Sequence, residues 1–176
     1  ISLVYIAIFY NNIALRAERS NHILRSGVLS KSMLIERTPS ILARSMFYYI
    51  QSAGHYFCTP EFETTRENYD SILVLYTIAG AGTLKYRSHT FTISPGQAFI
   101  IDCMEPQYYA TNNSGIWDII YIHFNGSESR NYTQNILANN GPVFKLDRES
   151  SIPHNILTIH NMLQKDEPSA DIIISK

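Results

Sequence analysis

The middle of the chain, from residue 69 to residue 124, consists of short apolar stretches separated by Gly and Pro. Five stretches have the character of β-strands: 71–78, 83–87, 90–93, 98–101 and 117–124. The second and third alternate polar with apolar side chains, whereas the other three are nearly uninterrupted apolar runs. Short strands at regular spacing with Gly and Pro between them predict an all-β sandwich or barrel.

The residues before this stretch give weaker signals. Residues 46–50 predict a first strand, and residues 54–65 predict a second strand region that is interrupted by Pro60. Residues 12–26 have helical character with a thin apolar stripe.

Residues 1–10 are apolar, but the run is too short for a membrane helix and lacks a basic leader or a cleavage site. It is either a buried N-terminal strand or sequence upstream of a true start at Met33 or Met46. No membrane partner is expected.

The residues after the central stretch predict helices. Residues 128–139 form the first, with Tyr132, Ile136 and Leu137 on one face, and a short extended piece follows at 143–146.

The clearest helix of the chain is predicted at residues 151–165. An apolar stripe marks one face. It comprises Ile152, Ile156, Ile159 and Leu163, broadened by Leu157 and His160. The stripe either packs against its own barrel or forms a dimer interface. A further apolar helix is predicted at 169–176, and its abrupt end suggests that the chain is truncated there.

Composition narrows the class of protein. The 176 residues are 45% hydrophobic and 16% charged, which is typical of a globular chain, and the net charge of −1 argues against nucleic-acid binding by this segment alone. Cys58 and Cys103 are expected to be ordinary buried thiols. Asn-x-Ser/Thr matches at Asn112, Asn125 and Asn131 are attributed to chance, so a cytoplasmic location is expected.

Catalytic motifs are not evident. None of the six histidines forms a His-x-His pair, and Gln107 stands where a metal-binding barrel would carry histidine. No Gly-x-Ser-x-Gly elbow or phosphate-binding glycine loop occurs. We therefore expect neither a catalytic metal nor another cofactor. The alternative that stays open is a metal-dependent cupin enzyme that acts on a sugar or small acid.

The last strand of the central stretch has an informative alternation. Trp117, Ile119, Tyr121 and His123 point to one side of the strand. Aromatic bodies with N–H and O–H tips suit a cavity for a polar ligand with apolar C–H faces, such as a sugar. The alternative is a core in which each polar tip finds a backbone partner.

A series of short motifs adds a family resemblance. In order, they are Gly54 with Cys58-Thr59-Pro60, Arg66, Tyr69-Asp70, residues 80–84, residues 95–101, residues 105–110, and Trp117 with residues 121–126. In this order and spacing, the chain from about residue 47 to 126 resembles the N-terminal sensor domain of AraC-family transcriptional regulators.

The resemblance implies a mainly β fold, a cupin-like (jelly-roll type) β-barrel followed by C-terminal α-helices that form a dimerisation or linker segment. Residues 1–40 would be an N-terminal arm, 41–126 the sensor barrel and 127–176 the helical segment. The implied partners are a small effector, often a sugar, a second copy of the chain and operator DNA, the last through a helix-turn-helix domain outside this chain. The protein would then not be an enzyme.

The resemblance also suggests binding residues. Arg66 matches the arginine that contacts sugar in arabinose sensors, Tyr109 matches a tyrosine after the Pro-Gly turn, and Tyr121 falls where those sensors carry a stacking tryptophan. With Gln107 and Tyr108 for the usual histidines, arabinose is not implied, and an α-galactoside or similar glycoside is favoured. The full candidate set is Arg66, Tyr109, Tyr121, His123, Trp117, Tyr76 and His55.

Overall fold

The computed structural model describes residues 25–46, 48–112, 115–147 and 149–164. The expected segment at 1–10, most of the expected helix at 12–26 and the expected helix at 169–176 lie outside the described residues.

Two antiparallel sheets form the body of the described chain. Their strands are β1 (Met33–Glu36), β2 (Tyr49–Cys58), β3 (Glu63–Arg66), β4 (Ile72–Ala79), β5 (Gly82–Tyr86), β6 (His89–Ile93), β7 (Gln97–Asp102), β8 (Gln107–Thr111), β9 (Trp117–Asn125) and β10 (Val143–Lys145). The larger sheet has the order β1-β2-β9-β4-β7-β10, and the smaller sheet has the order β3-β8-β5-β6. The predicted mainly β barrel is confirmed, as are all five strands of the central stretch.

The two sheets differ in how many faces they bury. The smaller sheet turns Leu84 and Tyr86 into the core, while Lys85 between them is exposed. The larger sheet has its core on one face and helices on the other, so both faces of its strands are largely covered. A strand covered on both faces needs apolar residues at successive positions, which explains the uninterrupted runs of β4, β7 and β9.

The region before β3 corrects two predictions. Residues 41–46 form a short helix, α1 (Ile41–Met46), and β2 begins only at Tyr49, so the strand predicted at 46–50 is placed too early. The Ser40 hydroxyl accepts a hydrogen bond from the Ala43 amide at 3.0 Å and caps this helix. The strand region predicted at 54–65 is divided, because its first part continues β2 and a turn precedes β3.

Strand pairing extends the barrel beyond the expected boundaries. β1 pairs with β2 through contacts such as Leu34 with Gly54, and Val28 forms an isolated bridge with Cys58. β10 pairs with β7 at the other edge of the same sheet. The boundaries expected at residues 40 and 126 therefore do not separate these segments from the barrel.

Helix α2 (Ser129–Asn140) lies against β7, β4 and β9 on the outer face of the larger sheet. Its buried face consists of Ser129, Thr133 and Leu137, spaced one turn apart. The apolar face predicted for this helix is therefore wrong except at Leu137. Tyr132 is 67% exposed and Ile136 is 37% exposed, because both project away from the sheet.

Helix α3 (Ile152–Gln164) packs across β1, β2 and β9 on the same outer face. Ile156, His160 and Leu163 are buried there, and Leu163 joins a cluster with Ile50 and Ala53. Four members of the predicted stripe, Ile156, Ile159, His160 and Leu163, therefore face the barrel, whereas Ile152 and Leu157 are exposed. Within the described ranges, no helix is long and apolar enough to cross a membrane.

Candidate ligand-binding site

A cavity of about 190 Å³ opens between the two sheets, where β1, β2 and β9 face β3 and β8. Its described lining residues are Arg25, Leu34, Glu36, Ser52, Tyr56, Phe62, Arg66, Tyr69, Leu75, Tyr109, Ile119, Tyr121 and His123. Arg25 and Glu36 are exposed at its mouth, whereas Tyr109, Tyr121 and His123 are buried. The site is thus charged at the opening and aromatic inside.

Four of the seven residues proposed from the sequence line this cavity: Arg66, Tyr109, Tyr121 and His123. Tyr121 and His123 come from alternate positions of β9, together with Ile119. This agrees with the side of the strand that the sequence alternation assigns to them.

Trp117 lies on the same strand but outside the described lining of the cavity. It is fully buried, and its indole Nε1 donates a hydrogen bond of 3.0 Å to the Thr77 hydroxyl. Four residues of strand separate it from Tyr121, a distance of roughly 13 Å. The structure therefore places Trp117 in the core, where its polar tip finds a partner.

Tyr76 and His55 also lie outside this lining, because strand alternation turns them to the opposite face. Their neighbours Leu75 and Tyr56 are the residues that line the cavity. On the outer face, His55 Nε2 lies 2.7 Å from a carboxylate oxygen of Asp118. Neither side chain is placed to contact a ligand between the sheets.

Several lining residues escaped the sequence analysis. Tyr56 could have been found from strand alternation, because Ser52, Gly54 and Tyr56 occupy alternate positions of β2. That alternation becomes apparent only when residues 49–58 are treated as one strand. Arg25 and Tyr69 lie outside the strands, where no periodicity indicates which way a side chain points.

Gly54 makes room for the central ring of the site. It pairs with Tyr121 across β2 and β9. A Cβ atom at position 54 would lie 2.6 to 2.7 Å from atoms of the Tyr121 ring, closer than carbon atoms pack. The ring of Tyr121 thus occupies the space that a side chain at position 54 would need.

Three aromatic contacts hold the interior together. The Tyr56 and Tyr121 rings meet edge to face with centroids 5.0 Å apart, and Tyr121 and Tyr69 lie 5.9 and 5.3 Å from the His123 ring. Burial raises the pKa of Tyr121 well above its usual value, and the pKa of Tyr109 is raised for the same reason. These phenols stay neutral at ordinary pH and can both donate and accept hydrogen bonds.

His123 is a neutral imidazole in this site. Its Nδ1 lies 3.1 Å from the Ser71 hydroxyl, which leaves Nε2 available to a ligand. Burial lowers its pKa to about 3, with further lowering by the positive charges of Arg66 and Arg25.

The low pKa of His123 predicts a pH-dependent stability. Below an unfolded-state pKa of about 6.5, the unfolded chain binds a proton that the folded chain does not. The free energy of unfolding should therefore fall by roughly 2 kcal/mol from pH 7 to pH 5 through this residue. His160, whose pKa is also lowered by burial, adds to the fall.

Urea unfolding at a series of pH values measures this dependence. His123→Asn should flatten it between pH 7 and pH 5, and His89→Asn, at an exposed hairpin position, serves as the matched control. An unchanged slope in His123→Asn would contradict the assignment.

Neither a metal cluster nor a disulfide is found among the described residues. No group of three or more His, Cys, Asp or Glu side chains there is placed to hold a metal ion. Cys58 and Cys103 are free and buried, as predicted, and burial raises the pKa of the Cys103 thiol to about 11.

Comparison with protein families finds a match to the model of the AraC-like ligand binding domain over residues 49–176. A search of curated proteins finds no match.

Several solved structures match this chain at low sequence identity. YhaK from Escherichia coli matches with a TM-score of 0.51 and 10% identity, over 67% of this chain and 51% of that chain. KdgF from a Halomonas species matches with a TM-score of 0.43 and 14% identity, over 58% and 83%. The cupin domain of an XRE family transcriptional regulator from Enterobacter cloacae matches with a TM-score of 0.41 and 13% identity, over 52% and 94%. The fold is cupin-like.

Proposed function

The chain belongs to the family of AraC-like ligand binding domains, and from this premise we propose that its cavity binds a small sugar or sugar-like effector. The main support for this proposal is the composition of the cavity lining. Neutral Tyr109, Tyr121 and His123 surround the interior, and Arg66 lies beside them. The aromatic rings of such residues can stack on the C–H groups of a sugar, and their polar atoms can form hydrogen bonds with the sugar hydroxyls.

The size of the cavity limits the effector. A volume of about 190 Å³ would hold about six waters at about 30 Å³ each, which suits a single sugar ring. A glycoside longer than one ring would extend through the mouth beside Arg25 and Glu36. We therefore favour a monosaccharide, or one terminal ring of a glycoside, as the bound unit.

The output of such binding would be transcriptional control. A helix-turn-helix domain that is not part of these 176 residues would bind operator DNA, and effector occupancy would alter its placement through the helical segment. Arg130 of α2 donates hydrogen bonds to Asp102 of β7 and to Asp70, just before β4. These bonds support this role, because they tie the helical segment to the sheet that carries Tyr121 and His123.

A homodimer is the second part of this proposal. The buried stripe of α3 is occupied by its own barrel, so dimer contacts would use partly exposed side chains. On the two helices these are Tyr132, Ile136, Ile152 and Leu157. The mass of the domain in solution, measured by sedimentation, tests this part, and a monomer at micromolar concentration would contradict it.

Thermal unfolding with a panel of mono- and oligosaccharides tests the effector proposal. A sugar at 100 times its Kd should stabilise the domain by about 2.7 kcal/mol. Tyr121→Phe should weaken the binding of that sugar up to tenfold, because it removes one hydroxyl from the lining. Tyr76→Phe, which makes the same change outside the cavity, should bind like the unaltered domain.

Two results would contradict the proposal. The first is a panel in which no compound stabilises the domain. The second is a stoichiometric transition metal in the purified protein together with turnover of a sugar, which would favour the alternative of a metal-dependent cupin enzyme.

A further inference from the structure

Two arginine side chains face the cavity from different segments of the chain. Arg25 is exposed and precedes β1, and Arg66 is half-buried at the end of β3. Glu36 is the one carboxylate of the described lining, and the imidazole of His123 is neutral. The described lining therefore carries two positive charges against one negative charge.

Neither arginine is neutralised by a described carboxylate. The ion pairs between described residues join His55 to Asp118, Arg87 to Glu105, and Arg130 to both Asp70 and Asp102. The guanidinium groups of the cavity have other contacts. Arg25 donates a long hydrogen bond of 3.4 Å to the Thr64 hydroxyl.

Arg66 lies over the Tyr69 ring, with its central carbon 4.5 Å from the ring centroid. Stacking uses the face of a guanidinium and leaves its N–H donors in the plane of the group. A carboxylate matches such donors in geometry and charge.

The positive charge also reaches the interior of the cavity. The charges of Arg66 and Arg25 both contribute to the low pKa of His123, after burial. The same two charges oppose the effect of burial on the pKa of Tyr109. An anionic group between the arginines would thus meet a favourable field from the described lining.

Resting on the proposed effector-binding function, we propose that the effector is a monoanionic polyhydroxy compound, a sugar acid. Its carboxylate lies between Arg25 and Arg66 at the mouth of the cavity. Its hydroxylated part lies inside, against Tyr121 and His123. A single carboxylate matches the net charge of +1 on the described lining, whereas a phosphate dianion exceeds it.

Matched pairs of a neutral sugar and its acid test this inference. Galactose with galacturonate, glucose with glucuronate, and glucose with gluconate are titrated into the domain at pH 7 by calorimetry. The acid of at least one pair should bind ten times more tightly than its neutral parent, and its affinity should fall as salt is raised.

Charge-removing variants locate the carboxylate. Arg25→Gln and Arg66→Gln should each weaken binding of the acid about tenfold, and each should weaken binding of the acid more than binding of the neutral parent. Arg44→Gln, an exposed arginine of α1 outside the cavity, is the matched control and should change neither. The melting temperature of each free variant shows whether it folds like the unaltered domain.

The outcomes separate this inference from the function on which it rests. Neutral sugars that bind as tightly as their acids would overturn the anionic effector and leave the effector-binding function standing. A tighter-binding acid whose affinity is unaffected by both variants would overturn its placement between Arg25 and Arg66. No binding by any compound of either set would overturn the effector-binding function itself.

Discussion

Replacing Trp117 by alanine is expected to lower the free energy of unfolding by about 3–5 kcal/mol. The indole is fully buried, and its ring packs edge to face on Phe62 with centroids 6.4 Å apart. The substitution removes this packing and leaves the Thr77 hydroxyl without the indole N–H. Urea unfolding of the variant and the unaltered domain gives the difference.

A milder change at the same position separates a core role from a binding role. Trp117→Phe keeps most of the apolar volume and should fold, with a loss of about 1–3 kcal/mol from the missing N–H and the smaller ring. Effector affinity per folded molecule should equal that of the unaltered domain. A loss of effector affinity without a decrease in the free energy of unfolding would contradict the core role and indicate that Trp117 contacts the effector.

Replacing Arg130 by methionine should produce the second large effect, a loss of about 2–3 kcal/mol. Its Nε donates to Asp102 at 2.8 Å and its Nη2 donates to Asp70 at 2.9 Å, which fastens α2 to the barrel. The Asp102 side chain is only 3% exposed, so removal of the cation leaves a buried carboxylate without its charge partner. Arg130 itself is 41% exposed, which keeps the loss below that of a fully buried pair.

A double-mutant cycle isolates this interaction. Asp102→Asn alone should also destabilise the domain, and the combination with Arg130→Met should cost less than the sum of the two changes. Arg44→Met, at an exposed position of α1, gives the baseline for loss of an arginine. A coupling energy near zero would show that the pair does not hold the helix.

The order of polar and apolar residues along the chain was sufficient to predict most strands of the barrel, because burial repeats at every second residue of a strand. The alternation of Lys85 with Leu84 and Tyr86 indicates a sheet with one face covered by protein. The continuous apolar run of β4 indicates a sheet with both faces covered. The same alternation separates Tyr121 and His123 from their neighbours on β9.

Other features depend on contacts that no local pattern contains. Trp117 and Tyr121 share a face of β9, and only the position of the opposite sheet decides that one is core and the other lines a cavity. Arg25 reaches the cavity from a segment without a repeat. Helix α1 is six residues long, too short for a helical period to outweigh an apolar run.

The space above Gly54 restricts which residues can replace Tyr121 when ligand specificity changes during evolution. Gly54 is not among the described lining residues, yet its missing side chain determines which ring fits at position 121. An ancestor that exchanged Tyr121 for tryptophan would have had to retain glycine opposite it, whereas a small residue at 121 would release position 54 to vary. The two positions should therefore change together among descendants that recognise different ligands, and a library that randomises Tyr121 alone omits every combination in which position 54 also varies.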